Sequence, residues 1–251
     1  MNTTTLGILG GLGPMSGVYF CELLTEHTQA ERDGEHLNFL LSSRADTPDR
    51  TDFILGRSTS NPMPVMIGEV ERLITAGAGL IAIPCNTAHY FYEGIAKAST
   101  VPVINIIRQT VDLCVGEGMT KIGVLATEGT VFSGAYEREC RRVGVEYLTC
   151  SADEQAVITH IIYNQVKKGL PPDLNAFRTV ANSLLRQGCE AIILGCTELS
   201  LLKKISPDPA WIDSLEVLAC AAIRLCGKTP VGFDERLMNF IPRKEKVHVI
   251  E

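Results

Sequence analysis

Short apolar segments alternate with amphipathic stretches along the chain. Six apolar runs predict β-strands: Leu6–Leu9, Asn38–Leu41, Leu80–Ile83, Val101–Ile104, Ile122–Leu125 and Ala191–Leu194. Helical periodicity predicts helices over Ser16–Ala30, Pro64–Ala76, Gly134–Val143, Glu154–Lys168, Leu174–Gln187 and Ser214–Cys226, with two more after Cys85 and Asn105. This alternation is typical of βαβ units and a parallel sheet. Since the strands at Leu80 and Ala191 are apolar on both sides of the pleat, we expect helices on both sheet faces.

Two parts of the chain repeat the same order of elements. The segment Leu6–Gly13 aligns with Ile122–Gly129, and in each part a later apolar strand ends at a cysteine, Cys85 or Cys196, with a threonine close behind. Short βα pieces can resemble one another by coincidence, but the matched cysteines make that interpretation weaker. The pattern therefore predicts two similar α/β subdomains.

Composition excludes several classes of protein. The 251 residues, 45% hydrophobic and 21% charged, are typical of a globular chain with room for two small domains. A net charge of −6 gives no electrostatic reason to expect nucleic acid or an anionic membrane as a partner. No apolar run approaches the length of a membrane span, and the N-terminal residues lack a basic signal region, so we expect a cytoplasmic protein.

Nine cysteines are many for a cytosolic chain of this length. Their odd number, scattered spacing and lack of CxxC pairs argue against a disulfide framework and a structural zinc site. Most are expected to be small buried hydrophobic residues. Cys85 and Cys196 differ because each follows the carboxyl end of a predicted parallel strand, where ligands bind. Backbone N–H groups at the start of the next helix would favour a thiolate there and could also bind a carboxylate.

Two thiols that face each other across a cleft suit one type of reaction. One removes the α-proton from a chiral carbon, and the other returns a proton to the opposite face. A single catalytic cysteine would instead need a histidine partner. His89 lies four residues after Cys85 and is expected to point along the helix, which favours a wall residue over a Cys–His hydrolase.

The glycine-rich segment after the first strand resembles a dinucleotide-binding loop only superficially. A GxGxxG motif read from Gly11 would need glycine at position 16, which is Ser16. The chain also lacks the GK[ST] sequence of a P-loop. We interpret the segment as a tight turn whose backbone lines the site, with Pro14 opening the next helix.

Six motifs in order identify a family resemblance. They are GILGGLGPMSG at 7–17, PDRTD at 48–52, PCNTAH at 84–89, GVLATEGT at 123–130, IYNQVKKG at 162–169 and GCTEL at 195–199. From about residue 5 to about residue 227 the chain resembles the aspartate/glutamate racemase family. The resemblance implies a cofactor-independent enzyme, without pyridoxal phosphate or metal. It also implies two pseudosymmetric Rossmann-like subdomains with parallel sheets and an active site in the cleft between them.

The resemblance implies catalytic roles for Cys85 and Cys196. It implies a substrate-binding set of Met15, Arg50, Asn86, Thr87, Thr127, Lys167, Thr197 and Glu198. In this set Asn86, Thr87 and Thr197 would hold the α-carboxylate and ammonium. Thr127 matches the family's substrate-contacting turn, and Arg50 would grip a side-chain carboxylate. Lys167 would supply a second cation, although adjacent Lys168 could take that place.

Glu198 distinguishes two branches of the family. Glutamate racemases typically carry histidine at this position, so the chain resembles the aspartate racemase branch. Three roles remain open for the carboxylate: it could orient Thr197 or the substrate ammonium, raise the pKa of Cys196, or lie favourably at the positive end of a helix.

We therefore predict a racemase that interconverts L- and D-aspartate, with glutamate as the second choice of substrate. Alternatives are a racemase of broader specificity, a maleate isomerase or hydantoin racemase relative, and a catalytically silent amino-acid binding protein. The first domain is predicted at 1–104 plus 212–251 and the second at 105–211. A homodimer is expected from the family resemblance. The sequence VHVI near the C-terminus predicts a short edge strand or a flexible end.

Overall fold

Two parallel sheets form the framework of the computed structural model, which describes residues 3–245. The first contains β1 (Leu6–Gly10), β2 (Phe39–Ser43) and β3 (Leu80–Ala82) in the order β2-β1-β3. The second contains β4 (Lys121–Ala126), β5 (Glu146–Thr149), β6 (Ala191–Gly195) and β7 (Trp211–Asp213) in the order β5-β4-β6-β7. In each sheet the first strand in sequence lies between the next two, and every pairing is parallel. The predicted α/β fold with pseudosymmetric parallel sheets is confirmed.

Helices connect and cover these strands. The α-helices are α1 (Pro14–Glu26), α2 (Arg50–Ile54), α3 (Met63–Thr75), α4 (Tyr92–Ala98), α5 (Ile106–Gly116), α6 (Glu128–Phe132), α7 (Ala135–Val143), α8 (Ala152–Thr159), α9 (Leu174–Arg186), α10 (Ser200–Ile205), α11 (Ser214–Leu225) and α12 (Glu235–Asn239). Between these elements lie short 3₁₀ turns at Asp33–Glu35, Thr87–Phe91 and Val166–Lys168 and a π-helical turn at His160–Gln165.

Several helices begin at side chains that satisfy the free N–H groups of the first turn. Asn105 accepts from the N–H of Arg108 at 3.0 Å and starts α5. Ser151 and Glu154 form a reciprocal capping box at the start of α8. Such caps contribute about 1 kcal/mol each and fix where the connecting loops end.

A matched pair of glycines carries the pseudosymmetry into the packing. A Cβ added at Gly7 would lie 2.7 Å from Ile81 Cδ1, and a Cβ added at Gly123 would lie 2.8 Å from Ile192 Cδ1. At each site a leucine of the covering helix also packs against the glycine. Because any larger residue would push the helix off the sheet at a cost of about 1–3 kcal/mol, glycine recurs at both positions.

Alternate residues of the central strands face different cores. Leu6 and Ile8 of β1 share one core with Ile122 and Val124 of β4, and this core includes α11. The opposite face of the first sheet packs under α3 and α4, and that of the second packs under α8 and α9. Helix α11 packs on α1, α5, β6 and β7. It is therefore the helix through which the β7 end of the second sheet meets the helices of the first.

One predicted strand is wrong, two observed strands were not predicted, and one strand prediction stays untested. Val101–Ile104 forms only a single parallel bridge, between Val103 and Ile81, because Pro102 has no N–H with which to extend the ladder. The short strands β5 and β7 were not predicted, since neither shows a clear apolar alternation. The predicted VHVI strand lies outside the described residues.

The second sheet ends at Asp213, two residues beyond the predicted second domain. We therefore propose that the chain crosses between its two units near residue 104 and again after Asp213. Within residues 3–245, every helix is too short or too polar to cross a membrane.

Candidate active site

One nearly closed cavity lies at the carboxyl ends of β1, β3, β4 and β6. Its free volume is about 10 Å³, room for about one water molecule. Thirteen residues from both units line it: Leu12, Asp49, Arg50, Thr51, Cys85, Asn86, Thr87, Thr127, Tyr163, Lys167, Cys196, Thr197 and Glu198. The cavity therefore brings together both predicted catalytic cysteines and all but one of the predicted substrate-binding residues.

Cys85 follows β3 and lies 7% exposed at the entrance to the 3₁₀ turn Thr87–Phe91. Its Sγ faces the carbonyl oxygen of Leu12 at 3.8 Å, so the thiol meets the glycine-rich turn that follows β1. Its own N–H donates to the carbonyl of Ile83 at 2.8 Å. The turn holds the sulfur in the cavity without a direct acid or base beside it.

His89 fixes the backbone beneath Cys85 and does not act on its sulfur. Its Nε2 accepts from the N–H of Ile106 at 3.1 Å, which leaves Nδ1 to donate to the carbonyl of Cys85 at 2.9 Å. Burial lowers the pKa of His89 to about 4, so the ring is neutral. With both nitrogens occupied, the geometry gives no support to a Cys–His hydrolase.

Cys196 follows β6 and has a different environment. Its S–H donates to Oε2 of Glu198 at 2.9 Å, and the residue is 4% exposed. Burial and the adjacent Glu198 carboxylate raise the pKa of Cys196 well above its ordinary value, while Lys167 opposes the shift. The structure therefore holds Cys196 as a protonated thiol.

Lys167 completes a chain of charges on this side of the cavity. Its ammonium lies 2.5 Å from Oε1 of Glu198. Burial disfavours the ammonium, but the charge of Glu198 outweighs it and raises the pKa of Lys167; Cys196 and Cys85 act in the same direction when ionised. Lys168 instead donates to Asn164 at the exposed surface, at 3.1 Å. Of the two adjacent lysines, Lys167 is the one that reaches the cavity.

The helix predicted over Glu154–Lys168 is wrong in its second half. Helix α8 ends at Thr159, and a π-helical turn over His160–Gln165 and a 3₁₀ turn over Val166–Lys168 follow. A π-helical turn contains one residue more than an α-helical turn, so it changes which side chains lie on the same face of the helix. Here Tyr163 and Lys167 both line the cavity, and the Tyr163 hydroxyl donates to Thr51 Oγ1 at 2.8 Å across it.

Arg50 is the first residue of α2 and is 8% exposed. Its terminal nitrogens donate to the carbonyls of Thr47, Pro48 and Leu12. Its Nε is buried without a partner among the described residues. The guanidinium is thus held rigidly by the backbone, with a donor left over for an anion.

The remaining predicted residues lie in two groups. Asn86 accepts from the Tyr136 hydroxyl at 2.7 Å and donates to Ser214 at 2.9 Å, so its side chain is largely used in anchoring the loop. Thr87 and Thr127 lie 2.9 Å apart, and each is within 3.0 Å of Thr130, which forms a ring of three hydroxyls.

Thr197 makes a direct link between the two cysteine loops. Its hydroxyl donates to the carbonyl of Pro84 at 3.2 Å, so the residue after Cys196 touches the residue before Cys85. A contact this direct requires the two strand ends to meet at the same cavity.

Met15 lies outside the cavity. It is the second residue of α1 and is 62% exposed, because the helix turns this side chain toward the surface. The cavity instead includes Leu12 from the same glycine-rich segment. The neighbouring Gly13 leaves room for Glu198, since an added Cβ there would collide with its carboxylate.

Four lining residues were missed by the sequence analysis. Asp49 and Thr51 flank Arg50 in the PDRTD motif, and Tyr163 lies four residues before Lys167 in IYNQVKKG. Leu12 is within the glycine-rich turn. Each lies inside a recognised motif, so attention to every polar residue of the motifs could have found the first three.

Comparison with known proteins gives a consistent result. The family model described as Asp/Glu/Hydantoin racemase matches residues 9–222. The chain is 28% identical to the broad specificity amino-acid racemase RacX of Bacillus subtilis over 223 residues, which cover 87% of this chain and 96% of that protein. It is 31% identical to glutamate racemase of Persephonella marina over 160 residues, 59% of this chain and 58% of that protein.

Among solved structures, Picrophilus torridus aspartate racemase superposes with a TM-score of 0.79 at 28% identity, over 94% of this chain and 99% of that chain. Glutamate racemase from Francisella tularensis, solved with D-glutamate, superposes with a TM-score of 0.61 at 19% identity, over 98% of this chain and 87% of that chain, and so supports the fold alone. The family resemblance predicted from six motifs is confirmed: the chain belongs to the Asp/Glu/hydantoin racemase family and is an amino-acid racemase.

Proposed function

We propose that this enzyme interconverts L- and D-aspartate by proton transfer between Cys85 and Cys196. One observation carries the proposal: two thiols at matched strand ends line one cavity, together with the cations Arg50 and Lys167. Two thiols supply a base and an acid, and two cations suit a substrate with two carboxylates. The similarity to Picrophilus torridus aspartate racemase supports the same substrate.

Substrate binding would use the donors that the cavity leaves available. The Nε–H of Arg50 has no partner among residues 3–245, so a side-chain carboxylate can dock on this edge of the guanidinium. Lys167 can turn from Glu198 toward the same carboxylate. The rotatable hydroxyls of Thr87 and Thr127 can donate to the α-carboxylate.

The acidic residues of the cavity suit the third charged group of the substrate. Asp49 caps α2 through one oxygen, which accepts from the N–H of Asp52 at 2.9 Å. Its second oxygen, or the carboxylate of Glu198 once Lys167 moves, can accept from the substrate ammonium. An ammonium held in this way raises the acidity of the neighbouring Cα–H.

In one direction, the Cys85 thiolate removes the α-proton, and its S–H bond forms as the Cα–H bond breaks. The electron pair left on Cα then takes the proton of the Cys196 thiol at the opposite face, which leaves Cys196 as thiolate. The reverse reaction begins from that state with the roles exchanged. Glu198 keeps the Cys196 proton in place before transfer, because the S–H already points at its carboxylate.

A racemase of broader specificity is the second candidate. The similarity to RacX over 87% of this chain favours it, and among the described lining residues Arg50 and Lys167 are the two cations for a side-chain carboxylate. Glutamate is the nearest alternative substrate, because it carries the same charges on a side chain one methylene longer.

Incubation with L-aspartate and with D-aspartate in deuterated water tests the proposal. Each enantiomer should lose its circular dichroism, and the product should carry deuterium at Cα. Because the proton given back comes from the other thiol, early deuterium should enter the product and not the remaining substrate. Parallel runs with glutamate and alanine test breadth, and enzyme-free buffer is the control.

The results separate the candidates. Exchange with aspartate alone supports the proposed substrate, and equal exchange with alanine supports the broader racemase. Exchange with neither aspartate nor glutamate would overturn the proposal. Binding of aspartate without exchange would support a catalytically silent protein.

A further inference from the structure

Two adjacent buried residues at the end of β7 contact the loops of both cysteines. The Ser214 hydroxyl accepts from Asn86 Nδ2 at 2.9 Å and donates to the carbonyl of Leu194 at 2.7 Å. Asp213 Oδ1 accepts from the Ser200 hydroxyl at 2.7 Å. Relative exposure is 2% or less for Ser200, Asp213, Ser214 and Asn86. These bonds lie beneath the cavity and are shielded from water.

Each of these hydrogen bonds is made by a residue that lies close in the chain to one of the two cysteines. Asn86 is the residue next to Cys85 in the chain. Leu194 lies two residues before Cys196, and Ser200 lies four residues after it. Asp213 and Ser214 are therefore hydrogen-bonded to the Cys85 loop of the first sheet and to both sides of the Cys196 loop of the second.

The two sheets have no strand pairing with each other within residues 3–245. Their cysteine loops must nevertheless hold two sulfurs on opposite faces of one carbon atom. Proton transfer is sensitive to displacements of less than about 1 Å, so some element has to set the distance between the loops. Thr197 and Pro84 link the two loops directly, but through one long hydrogen bond of 3.2 Å.

We propose that Asp213 and Ser214 are positioning residues that set the separation of the Cys85 and Cys196 thiols. The inference rests on the proposed two-thiol reaction. Ser214 ties both loops to the start of α11, and Asp213 ties down the far side of the Cys196 loop. Tyr136 strengthens the first connection, because its hydroxyl holds the other end of the Asn86 amide.

Asp213 suits this place as a neutral acid. Its Oδ1 accepts two hydrogen bonds, from Ser200 and from the N–H of Leu215, while Oδ2 is buried without a partner among the described residues. Burial and the charge of the acidic neighbour Glu216 raise the pKa of Asp213, and Lys203 partly offsets them. Asparagine keeps the Oδ1 acceptor, so the Asp213→Asn variant should hold the two loops as the wild-type protein does.

The test separates the connections one at a time. The variant Ser214→Ala loosens both loops, Tyr136→Phe loosens only the Cys85 loop, and Ser200→Ala loosens only the Cys196 loop. Ser99→Ala is the matched control, since Ser99 is equally buried and bonds the nearby backbone of Val101, where it donates to the carbonyl at 2.7 Å and accepts from the N–H at 3.3 Å. Two readouts are used: kcat and KM for both aspartate enantiomers, and the rate of iodoacetamide alkylation of each thiol by mass spectrometry.

Ser214→Ala should lower kcat in both directions by about 10- to 100-fold with KM changed less than about threefold, because binding groups remain while the thiols shift. Alkylation should rise at both thiols by about tenfold, since each loop opens more often. Tyr136→Phe should raise it only at Cys85, and Ser200→Ala only at Cys196. Asp213→Asn should retain wild-type values.

A Ser214→Ala variant with unchanged kcat and unchanged alkylation would overturn the inference. If that variant fails to fold, the opposite selectivities of Tyr136→Phe and Ser200→Ala decide, and equal effects on both thiols would contradict the inference. If the wild-type protein does not racemise aspartate, the proposed function fails. The alkylation pattern still tests the positioning of the loops independently.

Discussion

The Cys85 loop and the Cys196 loop have the same architecture but different electrostatics. Each cysteine lies four residues after an isoleucine that packs on a matched glycine, Gly7 or Gly123, and each follows the strand beside the central strand of its sheet. Among the described residues, the Cys85 thiol has one polar contact, with the carbonyl oxygen of Leu12 at 3.8 Å. Cys196 donates to a carboxylate at 2.9 Å.

The repeated fold and the side chains therefore perform separate tasks. The pseudosymmetric sheets bring two thiols to one cavity. The side chains that surround them differ between the halves, and these determine where the proton rests. On the Cys196 side, burial and Glu198 hold it on sulfur against the opposing charge of Lys167. In the proposed mechanism we therefore assign the role of the base in the free enzyme to Cys85.

The largest expected effect comes from removing either thiol. Cys85→Ser and Cys196→Ser should each lower racemisation by about 10³-fold or more in both directions, because each direction needs one base and one acid. Steady-state circular dichroism with both enantiomers measures this. Cys21→Ser, at a half-buried thiol of α1, should retain full activity. Racemisation by either active-site variant at nearly the wild-type rate would refute the proposed two-thiol mechanism.

A smaller loss is expected from Lys167→Met. Its removal takes away a cation for the substrate and leaves Glu198 buried without its partner, so kcat/KM for aspartate should fall by about 10- to 100-fold. The adjacent Lys168→Met is the matched control and should be silent, since that ammonium lies at the surface. Equal losses in the two variants would show that Lys167 has no special place in the cavity.

The Glu198→Gln variant sharpens the difference between the two thiols. Glutamine removes the negative charge that raises the pKa of Cys196, so the pKa of this thiol should fall and its thiolate should form at lower pH. The pH–rate profile for the enantiomer that Cys196 deprotonates should shift to lower pH, with rates changed by about three- to tenfold.

In the other direction Cys196 serves as the acid and must be protonated, so the alkaline limb of that profile should also shift to lower pH. Glu190→Gln, at a surface carboxylate bonded to Thr120, is the control. Identical pH profiles for wild type and Glu198→Gln in both directions would remove Glu198 from the mechanism.

The smallest effect concerns stability. Burial, assisted by Glu216, raises the pKa of Asp213 to about 7, and Lys203 opposes the shift. The native state therefore binds a proton that the unfolded chain releases, and stability should fall as the pH rises from about 4 to about 7.

Asp213→Asn should lose this part of the pH dependence, so its Tm should exceed that of wild type by a few degrees at about pH 8. Thermal unfolding at several pH values measures it, with Asp153→Asn at an exposed position as the control. Parallel Tm–pH curves for wild type and Asp213→Asn would contradict a buried neutral acid.

Much of the fold was predictable because it depends on regular patterns. Buried parallel strands are continuous apolar runs, and the repeat of Leu6–Gly13 at Ile122–Gly129 predicted two similar sheets. The strands β5 and β7 were missed because one is half exposed and the other is three residues long. Neither has a periodicity that a sequence can display.

The site was predictable where its residues sit directly at strand ends. Cys85 and Cys196 follow from the topology, but the direction of Lys167 depends on a π turn that no sequence period announces. Met15 was misplaced because the glycine-rich motif does not reveal which side chains α1 turns outward. Asp213 and Ser214 were invisible as site residues, since they reach both loops only through tertiary contacts.

The ring of three threonine hydroxyls bears on how one cavity can receive both enantiomers of the substrate. Thr87, Thr127 and Thr130 bond in a closed triangle, and each hydroxyl can rotate to donate in either sense around it. A racemase has to receive two mirror-image molecules with one set of side chains. A rigid donor would match one enantiomer better than the other. Donors that reorient at the cost of a torsion can serve both, so the chirality of the protein need not become a preference for one hand of the substrate.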